Sequence, residues 1–186
     1  MNRLLMGVTI LALGAACLQG CAAGEQTASR KAEALENSTV ALAAFKEQDP
    51  SLTERINSSY GYAIFPSVGK GGIGVGGAYG SGVVFEQGEA IGNTTLTQAT
   101  IGLQLGGQEY RELILFENKA ALDNFTSGNF EFAAQVSAVA ATAGASADAD
   151  FKDGMMIFTV QVGGLMYEAS VGGQKFSFNS YDEYGD

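Results

Sequence analysis

Few residues in this chain are equipped for chemistry, and the densest candidate group surrounds one lysine. Lys70 leads into residues 71–82, Gly-Gly-Ile-Gly-Val-Gly-Gly-Ala-Tyr-Gly-Ser-Gly, where seven of twelve positions are glycine. An ammonium with little bulk beside it can meet a phosphate as a point charge, or can simply be a solvated turn lysine. Gly72, Gly74 and Gly76 fall two apart, while Ile73, Val75, Val83 and Phe85 supply apolar bulk. In a strand that spacing clears one face and fills the other. A cleared face lets another backbone, a helix or an apolar ligand come close. Tyr79 and Gly80 complete the group, and Tyr60, Tyr62 and Tyr79 bracket it in sequence. Amphipathic tyrosine rings suit a boundary between apolar and wet surroundings, or core packing. Lys70, Gly72, Gly74, Gly76, Tyr79 and Gly80 are therefore the candidate contact residues of a binding or packing surface.

Other readings of the run are weaker. Residues 72–77 satisfy G-x-G-x-x-G, the dinucleotide fingerprint, but that fingerprint needs a helix start directly after it to hold the pyrophosphate. The next residues, Ala78-Tyr79-Gly80-Ser81-Gly82, start a helix poorly. Gly72, Gly76 and Gly80 also fit the G-x-x-x-G seam of membrane helices, yet no apolar stretch of about twenty residues surrounds them. A glycine-rich loop without function is the plainest alternative.

Catalytic machinery is sparse. The chain has no histidine, which removes His-based triads, His acid–base work and His-ligated metal. Asp148, Asp150 and Asp153 lie near Gly154, but the alternating ligand register of a calcium loop fails after Asp150 and no closing Glu follows. A solvated turn is the expected outcome. Four Asn-x-Ser/Thr triplets, at Asn37, Asn57, Asn93 and Asn124, match glycosylation acceptors, a short pattern that carries little weight by itself. No catalytic residue, metal site or cofactor is expected, and an enzyme is not.

The N-terminus gives a localisation. Arg3 precedes an apolar stretch from Leu4 to Ala16, too short to span a bilayer, followed by Leu18-Gln19-Gly20-Cys21. A charged start, a short apolar core and small residues before a cut site make a secretory signal peptide over residues 1–20. Leu-x-Gly-Cys resembles the bacterial lipobox, which implies that Cys21 becomes the first mature residue and carries acyl chains on its sulfur and amine. A cut before Cys17 meets Gly14 where the motif wants Leu. Ala22 after the cysteine resembles the outer-membrane sorting choice, so the expected place is the envelope, anchored in the outer membrane and facing the periplasm. Residues 21–30 read as a lipidated tether and 31–186 as one domain. Ten Lys and Arg stand against twenty Asp and Glu, a net charge of −10. That excess argues against nucleic acid, whose affinity comes largely from basic side chains on phosphates.

Periodicity supplies the elements that would position these groups. Ala28, Ala32, Leu35, Thr39, Leu42 and Phe45 recur at helical spacing, predicting a helix over 28–46. Asp49-Pro50 predicts a second helix to about Ser59, with Asp49 as its cap and Leu52 and Ile56 inward. Residues 62–65 read as a short strand ended by Pro66. Gly88-Glu89 stands at a hairpin turn. Residues 90–106 alternate, and the continuous apolar run at 113–116 predicts a strand covered on both faces. Asn118 caps a short inserted helix with Leu122 and Phe125 on one face. Strand-like segments resume at 130–140, 155–162, 165–171 and 174–178. The order predicts an α+β fold: N-terminal helices, one inserted short helix, and an antiparallel sheet that is curled or barrel-like.

Residues 60–178 resemble the SYLF domain family. The matching blocks are Ala63-Ile64-Phe65-Pro66 with Val68 and Lys70, then the glycine stretch through Tyr79-Gly80-Ser81-Gly82. Residues 102–108, the Asn118-to-Phe130 segment, Gly164-Leu165-Met166-Tyr167 and Val171-Gly172-Gly173 come next in order. The resemblance implies a globular α+β domain that binds phospholipid and is not an enzyme. Ile73 stands where an aromatic is usual, Phe158-Thr159-Val160 departs from the family pattern, and the chain is acidic; phosphoinositide and actin binding are therefore not expected. The reading is a lipid-anchored envelope protein with a phospholipid-binding domain. The alternative is a structural or scaffolding envelope lipoprotein whose Gly-rich surface packs an unidentified envelope protein. A carboxylate-based hydrolase would need two acidic side chains converging in a cleft.

Overall fold

The computed structural model describes residues 16–128, 130–131, 139–163 and 173–182. Its contacts divide the chain into two compact units, Met1–Glu33 and Ala34–Asp186. Residues 1–15 of the expected signal peptide and the expected strand at 165–171 lie outside the described residues.

Helix α1 runs Ala16–Gln48, longer than expected, so residues 21–30 continue a helix where the sequence suggested a tether. Ala, Leu, Glu, Gln and Lys dominate it, all strong helix formers. In the second unit the buried stripe is Ser38, Ala41 and Phe45 rather than the predicted Thr39 line; Ala28, Ala32 and Thr39 are exposed. Phe45 sets the docking face, and Ala41 and Ser38 are small enough to bring the helix close behind it. Pro50 disfavours helical backbone at Asp49 and so ends the helix.

Helix α2, Leu52–Ser58, buries Leu52 and Ile56 as expected, but its cap position is Ser51, whose side chain makes no capping bond. Asp49 has a different task. Its carboxylate accepts from the Ser51 amide (3.1 Å) and hydroxyl and reaches across to the amides of Gly144 (3.1 Å) and Ser146 (2.8 Å). Arg55 reinforces the junction by donating to the carbonyls of Ser146 (3.0 Å) and Ala147 (2.6 Å). The 142–149 turns are thereby clasped to the helices.

Strands β1 (Gly61–Glu86) and β2 (Glu89–Phe116) form one long antiparallel hairpin. Its turn is Gln87-Gly88, with φ of 48° and 90°, one residue earlier than predicted. Two positive φ values in a row are what a type I′ hairpin turn demands. Pro66 does not end β1. The strand passes it through a register shift between Phe65 and Val68, the way a sheet tolerates a residue without an N–H.

Further on come helix α3 (Lys119–Thr126), strands β3 (Phe130–Glu131) and β4 (Val139–Ala140), then β5 (Met155–Gly163) and β6 (Gln174–Ser180). Asn118 caps α3 as predicted, accepting from the Ala121 amide at 3.0 Å, and Leu122 and Phe125 face inward. β5 pairs with residues 109–116 of β2, while β6 pairs with residues 92–98 of the same strand. Among the described residues the sheet has six strands and is open and strongly curled. It is mixed rather than purely antiparallel, because β4 runs parallel to β5.

The β1–β2 ribbon folds back on itself. The Gln87 amide donates to the Tyr60 carbonyl (3.1 Å), closing the end of β1 onto its beginning. A β-carbon at Gly61 would sit 2.5 Å from the Phe85 oxygen, and one at Gly80 would sit 2.7 Å from Val68 Cγ2. One at Gly82 would strike the Ile64 oxygen. The interior so enclosed holds Phe65, Leu96, Ile114, Phe116, Ile157 and Phe176, with Phe125 of α3 closing one end. A second cluster beneath α1 and α2 gathers Phe45, Leu52, Ile64, Leu113, Leu115 and Phe158. Residues 113–116 thus serve two cores by strict alternation, and all four are fully buried, as a continuous apolar run predicts. Each such side chain contributes about 1.5–3 kcal/mol by leaving water.

Candidate functional site

The six candidate contact residues all fall on β1, but the strand does not present them together. Lys70 pairs with Gln108 in the ladder and is 5% exposed; it shares its strand face with Val68 and is neither a solvated turn lysine nor an outward point charge. Gly72 and Gly76 lie opposite Gly106 and Thr100, and Gly74 sits at the register shift between Ile73 and Val75. Gly80 is buried, its cleared space filled by Val68 and the Ser67 carbonyl. Tyr79, opposite Thr97, is 59% exposed, its hydroxyl 3.4 Å from that of Ser81. Glycine clearance at 80–82 therefore admits the chain's own backbone, not a ligand. Cys21 belongs to the backbone of α1, and its side chain lies outside the described residues.

The alternation at 90–106 is seen at its start. Thr94, Leu96 and Gln98 are buried and Ala99 is exposed, so the face that carries Leu96 is the core face here. Asp148 and Asp150 are exposed, and Asp153-Gly154 forms a tight turn with φ of 53° and 75°, closed by paired bonds between Lys152 and Met155.

A buried polar cluster went unseen in the sequence. Glu112 is completely buried between Phe65 and Thr159, its cross-strand neighbours. Gln174 of β6, also 0% exposed, reaches across the ribbon fold and donates its amide to Glu112 Oε2 (3.0 Å) and to the Tyr110 hydroxyl (3.2 Å). The second oxygen of Glu112 and the amide oxygen of Gln174 are buried without a hydrogen-bond partner among the described residues. Burial pushes the Glu112 carboxyl up to about 8, only partly offset by the Gln174 bond, so it is largely neutral at pH 7. Burial, then the nearby Glu112, also raise the Tyr110 hydroxyl. The signal was available: Tyr110, Glu112, Ile114 and Phe116 share one parity of β2, and the last two are core.

Asp49 is the counterexample. Burial works to raise its carboxyl, but the hydrogen bonds from Ser51, Ser146 and Gly144 outweigh that and hold it at about 2. One buried acid is thus kept charged by amide donors, and the other is kept neutral by lacking them. Among the described residues no group of three acidic, Cys or His side chains converges as a metal site.

Residues 97–183 match the family described as Ysc84, the Las17-binding protein actin regulator. The chain is also 31% identical over 141 residues to Beta cell expansion factor A of Aeromonas veronii, an alignment covering 74% of this chain and 52% of that protein. The chain thus matches about half the length of that curated relative. The family match covers residues 97–116 of β2, the inserted helix and strands β3 to β6, while β1 lies outside it. On this match, residues 97–183 carry a SYLF (Ysc84) domain.

Proposed function

We propose that this protein is a lipid-anchored envelope component whose SYLF domain binds phospholipid without catalysing a reaction. The observation that carries the reading is Leu18-Gln19-Gly20-Cys21, closing a short apolar stretch N-terminal to the SYLF match at residues 97–183. Diacylation and N-acylation of Cys21 would hold the chain stably at a bilayer, since two or more chains anchor at about 0.8 kcal/mol per buried CH₂. Ala22 favours the outer membrane, facing the periplasm. Among the described residues no helix is long and apolar enough to cross a membrane. The bilayer contact is drawn at residues 71–79, the part of the glycine run before the self-crossing at Gly80, with Tyr79 as its exposed aromatic.

Vesicle flotation of protein lacking residues 1–21 tests the intrinsic lipid role. Co-flotation with phospholipid vesicles is expected, and failure with every bilayer composition refutes it. Mass spectrometry of the mature N-terminus tests the anchor independently: an unmodified Cys21 removes it. A second reading, packing against an envelope protein, is favoured by the family's own description as a Las17-binding regulator, which names a protein partner. Crosslinking that recovers one stoichiometric partner equally with and without lipid would select that reading.

A further inference from the structure

A cleft of about 630 Å³ opens where the helices meet the hairpin turn, away from the glycine run. The C-terminal part of α1 and the end of α2 form one side, Gln87-Gly88 of the turn the other, and Tyr60-Gly61-Tyr62 lies between them. Its size is that of a small-ligand site. Its uncommitted chemistry is specific. The Tyr62 ring stacks on Phe85 at 4.7 Å and 15°, is half-buried, and its hydroxyl has no hydrogen-bond partner among the described residues. The side-chain amides of Asn57 and Gln87 also line the cleft and have no hydrogen-bond partner among the described residues. Ser59, by contrast, spends its hydroxyl proton on the Arg55 carbonyl (2.7 Å), leaving an acceptor. Lys46 and Glu117, one of each sign, also line the cleft.

These features select a ligand class by elimination. Opposite charges leave no net field for an ion, and a chain of net charge −10 does not concentrate anions. Tyrosine rings offer apolar faces whose quadrupole attracts polarised C–H groups. Planar amides offer a donor beside an acceptor, matching adjacent hydroxyls. A ligand with one C–H face and a rim of neutral hydroxyls satisfies all three conditions. We propose that this cleft is a binding site for a neutral oligosaccharide built of pyranose rings. The site is independent of the lipid reading, because it shares no residue with the 71–79 segment.

The test is amide chemical-shift titration of the isotope-labelled full chain with three soluble probes: tri-N-acetylchitotriose, cellotriose and maltotriose. Trialanine and inorganic phosphate serve as comparison ligands. At least one trisaccharide should give saturable shifts confined to residues 57–62 and 87–88. In the Asn57→Ala/Gln87→Ala variant, whose changed side chains are exposed, its affinity should fall roughly tenfold or more, equivalent to 1.4 kcal/mol. Unchanged shifts elsewhere would show the variant folded. Absence of saturable shifts with all three sugars up to about 10 mM, where a millimolar site is mostly filled, overturns the proposal. So does an equal response to trialanine, which would make the cleft a peptide site, or to phosphate.

Discussion

Glu112 makes the folded state sensitive to pH across the neutral range. Its carboxyl moves from an ordinary 4.5 in the unfolded chain to about 8 in the folded one. The folded state therefore holds this proton more tightly than the unfolded state does. The associated stability is fully present below about pH 4.5, declines as pH rises, and is gone above about 8. At 1.36 kcal/mol per pH unit the whole span is worth up to about 5 kcal/mol, of which roughly 3 falls between pH 5.5 and 8. For a chain of this size that is a drop in Tm of about 6–12 °C. The absence of histidine removes the usual competing titration from this interval. Replacing Glu112 with Gln keeps the shape and an acceptor for the Gln174 amide while deleting the ionisation. Urea unfolding at pH 5.5 and 8 should show the wild type losing stability across the interval and Glu112→Gln holding nearly constant, more stable than wild type at pH 8. Parallel losses in the two proteins would refute the reasoning, as would direct titration of the Glu112 carboxyl by carbon NMR near 4.5.

Asp49 should behave with the opposite sign. Its carboxyl is held at about 2 against 3.8, so its contribution is present above about pH 3.8 and lost as pH falls toward 2, a loss of about 2 kcal/mol. Acid-unfolding curves of Asp49→Asn should lack that component. Asp49→Ala should cost roughly 2–4 kcal/mol at pH 7 by stranding the amides of Ser51, Gly144 and Ser146. Gly82→Ala should destabilise by about 2–4 kcal/mol in chemical denaturation, because its β-carbon meets the backbone oxygen of Ile64 rather than a side chain that can turn away. Gly69→Ala, with nothing within 4 Å, should stay within about 0.5 kcal/mol of wild type. Tyr79→Ser should weaken vesicle binding severalfold without shifting the denaturation midpoint, since the ring is 59% exposed; equal flotation of variant and wild type would move the bilayer contact elsewhere.

Local signals read correctly wherever one neighbour decides the outcome. Asn118 caps α3 because its own oxygen reaches the Ala121 amide, and residues 113–116 are apolar because both faces of β2 are covered there. The readings that changed depend on partners far away in sequence. Asp49 has the right type and place for a helix cap, yet its oxygens are claimed by amides 95 and 97 residues later. Pro66 breaks an ordinary strand, but β1 continues because β2 offers a pairing surface on both sides of the shift. The α1 stripe lies along Ser38 rather than Thr39 because a thin row of alanines leaves the choice of face to whatever it docks on.

The glycine run shows why composition identified an important segment without revealing that its end serves the fold itself. Alternating glycines do clear one face of an extended strand, and β1 is extended throughout 71–82. A cleared face needs an occupant, and sequence order suggests an external one because strand neighbours usually come from other segments. Here a single strand of 26 residues is long enough to meet itself, so Gly80 and Gly82 face Ser67, Val68 and Ile64 of the same strand. Gly61 completes the crossing from the other end, against Phe85. Folding the ribbon also brings Gln174 on β6 within hydrogen-bond reach of Glu112 on the far half of β2. The glycines and the buried carboxyl are consequently two parts of one construction: small residues permit the crossing, and the crossing creates the dry interior that keeps Glu112 protonated. A bulky residue at Gly82 should therefore lower the Glu112 carboxyl toward its ordinary range by admitting water, even in the fraction of molecules that remains folded. Carbon NMR titration of Gly82→Ala measures this directly, and a Glu112 titration still near 8 in that variant would separate the two features.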